Sequence, residues 1–366
     1  MPMSRSSIRA LYRSCVFACL LALGVLLVRT GASASWIEQV YANGVYPSLR
    51  NLLFSVFAWW PIAASVVVIA AIVGLTVRSI LRYALAAGST WTQRLVHSLL
   101  VVVRTAAWVY VGFMVLWGFN YARPPLSERL GLQAVKLSEQ QLWEELESTA
   151  TTLAILRPQL ALEEKPDASN EPLDQTSVAR LQQAVRSSLT ALKQPEYGRV
   201  RLRTTLPGAL LRFGTSGVYF PLTGEAHVDH SLHPLQRSFT IAHELAHGHG
   251  ITDEGEANFV AYLSLVQADQ LYLRYCGHLT YYRYLGSAAR RADSEAYAKF
   301  RDALAVGVRG DLDAINRANN RYRELVPELR DLLYDGYLKT QGVQQGMASY
   351  GRLVELVAAY RKTYDD

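Results

Sequence analysis

The chain has 366 residues and a formal net charge of +6, enough length for one or two domains with a real core. The excess charge is not spread: residues 1–119 hold nine Arg, no Lys and one acid (Glu38), a net of +8, so the other 247 residues carry 6 − 8 = −2. That distribution leaves no basic groove for nucleic acid, and with only Cys276 beyond the first apolar run there is no disulfide within the C-terminal part.

Three apolar runs come first, at 14–28, 52–77 and 99–119. A membrane-spanning helix needs about 20 apolar residues, and the second and third runs meet that length. The first follows Arg5, Arg9 and Arg13 and precedes Ala32-Ser33-Ala34, a small-residue pattern that suits signal-peptide cleavage after Ala34. Arg29 interrupts the approach to that site, which favours an uncleaved anchor. Arg104, five residues into the third run, can snorkel to the headgroups. Arg5, Arg9 and Arg13 in the tail and Arg78, Arg82 and Arg94 in the second loop outweigh Arg29 and Arg50 in the first loop. The positive-inside rule then puts the N-terminus inside and residues 120–366 on the outer side. The expected organisation is a membrane region at 1–119 and an extracytoplasmic domain at 120–366, with the lipid bilayer as a partner.

Pro124 and Pro125 end the last span. Ser138 with Gln141 reads as a capping box opening an amphipathic helix to about Leu160. Residues 163–174 are polar and turn-rich, so a loop is expected there, and 175–192 show helical spacing. Residues 199–230 alternate and are punctuated by Gly214, Gly217 and Gly224, which predicts two or three short strands. Pro221 favours an edge position for the strand over 218–222, where an extended peptide could pair. From Leu235 onward the pattern is helical, with breaks near Gly250, Gly277, Gly286 and Gly342. The expected fold is mainly α: transmembrane helices, then an α+β domain with a small sheet just before its motif.

That motif is TIAHELAHGHGITDEGEANFVAYL, residues 240–263. His243 and His247 are four apart, on one face of a helix, so both imidazoles can reach one metal ion. Glu244 beside them is the candidate general base. Zn²⁺ lowers the pKa of water towards 7 and usually takes three protein ligands at a catalytic site. Three acids compete for the third place: Glu256, Asp253 and Glu254. Asp253 would complete HExxHxxGxxD, with Gly250 making the turn and Met347 inviting comparison with a Met-turn. Glu256 would place a carboxylate in the first turn of a second helix. Glu254 reads as a solvated first-turn acid near the positive end of the helix dipole. His249 faces away from His243 and His247, and His227, His230 and His233 read as solvent-facing.

HELAH followed by Glu256-Ala257-Asn258 resembles gluzincin-type metallopeptidases, whose second helix carries a Glu-Ala-Asp signature. Here Asn258 stands where that signature has Asp. WGFNYARPPL, GVYFPLTGEAHV and GYLKTQGVQQGMASYGRLVELV together resemble an uncharacterised family of bacterial membrane proteins that join N-terminal spans to a zincin-like domain. The resemblance implies Zn²⁺ held by His243, His247 and Glu256, with Glu244 as base. It also implies an oxyanion donor from a later helix; Tyr337 is the first choice, with Tyr350 and Arg352 as alternatives. The expected function is a membrane-anchored zinc metallopeptidase acting on a peptide or protein, set in a bacterial cell membrane with its catalytic domain outside. A catalytically inactive zinc-binding or scaffold protein is the rival.

Overall fold

The computed structural model describes residues 5–86, 88–133, 135–160, 175–325, 327–328 and 352–364. The chain is mainly helical with three helices long and apolar enough to cross a membrane, at Arg9–Gly31, Ala64–Ala84 and Trp91–Leu116, and these are consistent with membrane association. It divides into two compact units. The first comprises residues 1–123 together with 220–225, and the second comprises 124–219 and 226–366. The piece 220–225, which the sequence places within 120–366, belongs to the first unit.

In the first unit, α1 (Arg5–Gly31) is followed by short α2 (Ala34–Trp36), a π-helical stretch at Ile37–Val45, α3 (Tyr46–Phe57), α4 (Ala64–Ala84) and α5 (Trp91–Leu116). The expected continuous run 52–77 is split. Pro61 lacks an N–H and keeps Trp60 out of the helical region, so the chain breaks between Phe57 and Ala64. Helix α5 starts earlier than its apolar run because Thr90 and Gln93 form a capping box. It ends at Leu116, before the Pro pair, and passes into a 3-10 turn at Gly118–Ala122.

Helix α5 packs on both α1 and α4. Thr76 and Thr105 hydroxyls meet at 3.3 Å, the Tyr83 and His97 rings stack at 4.1 Å, and Phe17 meets Trp108 at 6.1 Å. Glu38 pairs with Arg123 through two contacts of 2.6 and 2.9 Å. The N-terminus of α4 has no capping side chain of its own. Glu225 supplies one, accepting from the backbone N–H of Ala64 (3.1 Å) and Ser65 (2.8 Å). Arg50 donates to the Gly224 carbonyl at 3.2 Å, and Gly224 has φ +67°. A Cβ at Gly224 would lie 1.9 Å from the Arg50 Nη1, so both backbone shape and close approach require glycine.

The second unit opens with α6 (Leu126–Arg129), α7 (Glu139–Leu156) and α8 (Gln175–Ala191). Ser138 and Gln141 form the expected capping box on α7, which passes into a 3-10 turn at Arg157–Gln159. The expected 163–174 loop lies outside the described residues. Three strands follow, β1 (Arg201–Thr205), β2 (Gly217–Phe220) and β3 (Glu225–Asp229), in the order β1-β3-β2, so β2 is an edge strand. Then come α9 (Pro234–Gly248), α10 (Glu254–Val266), α11 (Leu271–Ala292), α12 (Ser294–Asp302), α13 (Val306–Asn320) and α14 (Arg352–Tyr364).

Helix α10 is the centre of this unit. Every residue from Glu254 to Leu265 is buried, and the helix packs on α8, α9, α11 and α14. A helix apolar on all sides belongs in a core, and Ala257, Phe259, Val260, Ala261, Leu263 and Leu265 make it so. The HExxH helix α9 lies against this buried rod, which fixes the motif on two rigid elements.

Candidate metal centre

Helix α9 begins with Pro234 at its first position and His233 as N-cap, the ring accepting from Leu235 N–H at 3.3 Å. It ends where Gly250 turns the chain with φ +81°. His243 and His247 meet edge to face one turn apart, with ring centroids 4.6 Å apart and planes at 88°. Their Nε2 atoms face each other at 3.0 Å. His247 Nδ1 lies 2.7 Å from the Ile251 carbonyl. A carbonyl only accepts, so Nδ1 carries a proton, and Nε2 is the nitrogen turned towards His243 and Glu254, where it could bind a metal in exchange for its own proton.

The carboxylate that joins them is Glu254. Its Oε2 is 3.1 Å from His243 Nε2 and 3.5 Å from His247 Nε2, and all three residues are buried. The expected ligand Glu256 is elsewhere: its Oε1 accepts from the Leu126 N–H at 2.6 Å and the Ser127 N–H at 3.3 Å. Asp253 does not reach the histidines either. It is the N-cap of α10, accepting from the Glu256 N–H at 3.0 Å, and it pairs with Arg352 at 3.2 Å. Helical phase explains the exchange. With Asp253 as N-cap, Glu254 and Glu256 are the first and third helical residues, about 200° apart around the axis. One faces α9 and the other faces the chain at Leu126. Glu254 is therefore not the solvated acid the sequence suggested; it is 5 % exposed.

The charges respond to this arrangement. Burial would raise the Glu254 carboxyl, but His247 and His243 hold it well below the usual carboxylate range. Burial would lower His247, yet Glu254, then Glu244, carry it up to about 9. Burial pushes Glu244 up to about 7 against the opposing pull of both histidines. Burial, with Asp253 adding, also lifts Glu256 to about 7.

Glu244 is fitted against β2. A Cβ on Gly217 would lie 2.5 Å from Glu244 Oε1, so only glycine leaves the carboxylate its place. The Tyr219 backbone N–H also favours its charged form. Its Oε2 has no hydrogen-bond partner among the described residues. The other histidines stay apart from this cluster: His249 Nδ1 accepts from the Tyr197 N–H at 2.9 Å, His233 caps α9, and His227 is buried in β3. Asn258 is buried, and Tyr284 on α11 has its pKa raised to about 12, chiefly by burial, with Glu254 adding. Nothing in the spacing of Tyr284 distinguishes it from the neighbouring tyrosines of the sequence. Tyr337, Tyr350 and Met347 lie outside the described residues.

The donor set can be tested against a metal directly. Bond lengths of about 2.0–2.1 Å at tetrahedral angles require ligand atoms about 3.3 Å apart. The observed triangle has sides of 3.0, 3.1 and 3.5 Å. Two imidazoles and one carboxylate at that spacing could hold a tetrahedral metal ion, with a fourth direction left over.

Fold and site together define a helical protein with three span-length apolar helices and a buried His-His-Glu cluster on two packed helices. The chain belongs to a family described as "Protein of unknown function (DUF3810)", whose model matches residues 41–358. No curated protein matches it. No solved structure matches it.

Proposed function

We propose that this protein is a membrane-anchored zinc metallopeptidase whose metal is held by His243, His247 and Glu254, with Glu244 as general base. The observation that carries the proposal is the triangle of Nε2, Nε2 and Oε2 atoms beside a buried Glu244. When bound, zinc supplies the Lewis acidity that makes water nucleophilic at neutral pH and polarises a carbonyl. Glu244, raised to about 7, is suited to taking a proton from water and returning it to a leaving amine. Strand β2, whose Gly217 backs Glu244, lies at the edge of the sheet, where an extended peptide could be laid beside it. The Arg asymmetry favours an anchor in the cell membrane with residues 120–366 outside.

The test is zinc content and peptide hydrolysis by the full chain in detergent, wild type beside Glu244→Gln. About one zinc per chain in both, with turnover only in the wild type, supports the proposal. A Glu244→Gln variant as active as wild type would sink it. A zinc-holding domain without turnover is the second reading. It is favoured by the depth of the cluster, where His243, His247, Glu244 and Glu254 are each less than a tenth exposed. Bound zinc with no hydrolysis of any peptide in a broad library would select it.

A further inference from the structure

The first unit contains a cationic group that its fold leaves without an acid. Residues 1–123 with 220–225 hold ten Arg, no Lys and two acids, Glu38 and Glu225. Both acids are engaged, Glu38 by Arg123 and Glu225 by the N-terminus of α4. Arg29 and Arg50 donate to backbone carbonyls, and Arg94 donates to the Ser89 hydroxyl. Arg104 differs. It is half-buried in span-length α5 and lines a groove of about 460 Å³ with Ser14, Thr76, Thr105, Trp108 and Leu222. Thr76 gives its proton to the Ile72 carbonyl at 2.7 Å, so Thr105 gives its own to Thr76 at 3.3 Å, and the Ser14 hydroxyl remains as the donor beside the guanidinium.

The groove has a polar end and an apolar end. Ser14 directly follows Arg13, and Thr76 is two residues before Arg78. Arg13, Arg78 and Arg104 therefore approach one level on three helices, as groups do at a headgroup layer. From Arg104 to Gly112 the helix rises about 12 Å. Along that length the lining turns to Trp108, Val109 and Leu222, with Leu222 Cδ2 3.3 Å from where a Gly112 Cβ would be. A half-buried cation with no carboxylate beside it among the described residues favours an anion, and at a span-length helix the surrounding solvent is lipid. An anionic head followed by an apolar tail matches both ends of the groove.

We propose that this groove is a site for one anionic phospholipid, its phosphodiester held by Arg104 with the Ser14 hydroxyl, and an acyl chain laid from Trp108 towards Leu222. The test is native mass spectrometry of the full chain in neutral detergent. It would be titrated with phosphatidylglycerol, with phosphatidylcholine of the same acyl chains, and with inorganic phosphate. Phosphatidylglycerol should bind roughly 5- to 10-fold more tightly than phosphatidylcholine, the gain expected of one Arg on a lipid phosphate. Arg104→Gln should bring it to the phosphatidylcholine level, while Arg82→Gln, exposed at the end of α4, leaves the preference intact. Leu75→Trp keeps every charge but fills the groove, and should also lose the lipid, which guards against misfolding of Arg104→Gln. Equal binding of the two lipids overturns the site, as does an undiminished preference in Arg104→Gln or Leu75→Trp. Inorganic phosphate binding as tightly as phosphatidylglycerol would make it a simple anion site and overturn the lipid assignment.

Discussion

Glu254 Oε2 stands 3.1 Å from His243 Nε2, while Glu256, two residues on, turns its carboxylate to the backbone of Leu126 and Ser127. The two acids should therefore fail differently. Glu254→Ala should weaken zinc binding by roughly 100-fold or more, because a three-ligand site becomes a two-ligand one. Glu256→Ala should keep zinc but lower stability by about 1–3 kcal/mol, since two buried N–H groups lose their acceptor. Metal analysis beside thermal melts of the full chain separates them. Zinc lost with Glu256→Ala and kept with Glu254→Ala would refute the assignment.

Gly217 tests whether the position of Glu244 matters beyond its presence. A methyl there would lie 2.5 Å from Oε1 and 2.9 Å from the carboxyl carbon, so the carboxylate must move. Displacement of a catalytic group by about 1 Å can cost 100-fold. Gly217→Ala should retain zinc and lose at least about tenfold in peptide hydrolysis. Unchanged turnover in a zinc-loaded Gly217→Ala protein would separate β2 from the chemistry.

Local signals were legible in the sequence, and phase was not. The Ser138–Gln141 capping box and the i,i+4 histidines each depend on residues a few positions apart, and the structure contains both. The choice among Asp253, Glu254 and Glu256 depends on which residue opens α10. A shift of one position in that start rotates each side chain by about 100°. Asp253 satisfies the N-cap preference, and the same carboxylate also fits a metal-ligand pattern, so its identity alone does not fix the start of α10. Pro61 breaks a run whose composition is apolar throughout, so hydropathy alone does not show the break. The pairing of Glu225 with α4 joins residues about 160 positions apart, and no local pattern announces it.

That pairing carries its own prediction. Glu225 is fully buried and accepts from Ala64 N–H, Ser65 N–H and the Thr223 hydroxyl at 3.1 Å. It also places a negative charge at the positive end of a 21-residue helix. Glu225→Ala should destabilise the full chain by about 2–3 kcal/mol, combining loss of the cap with orphaned buried donors. A melting temperature in detergent within a degree of wild type would show that the cap is dispensable.

His278 gives the second unit a pH dependence that is independent of the metal centre. Burial, then Arg361 and Arg274, lower its pKa from 6.5 to about 4. The folded protein thus keeps this imidazole neutral where the unfolded chain would protonate it. The unfolded state binds more protons between about pH 6.5 and pH 4, so stability is complete above 6.5 and falls as pH drops through that window. The full shift corresponds to about 3 kcal/mol, and partial exposure of the ring brings the expected loss to about 1–2 kcal/mol. Denaturation of the full chain at a series of pH values should show this slope, and His278→Gln should flatten it by that amount. An identical slope in His278→Gln would assign the acid sensitivity to other groups.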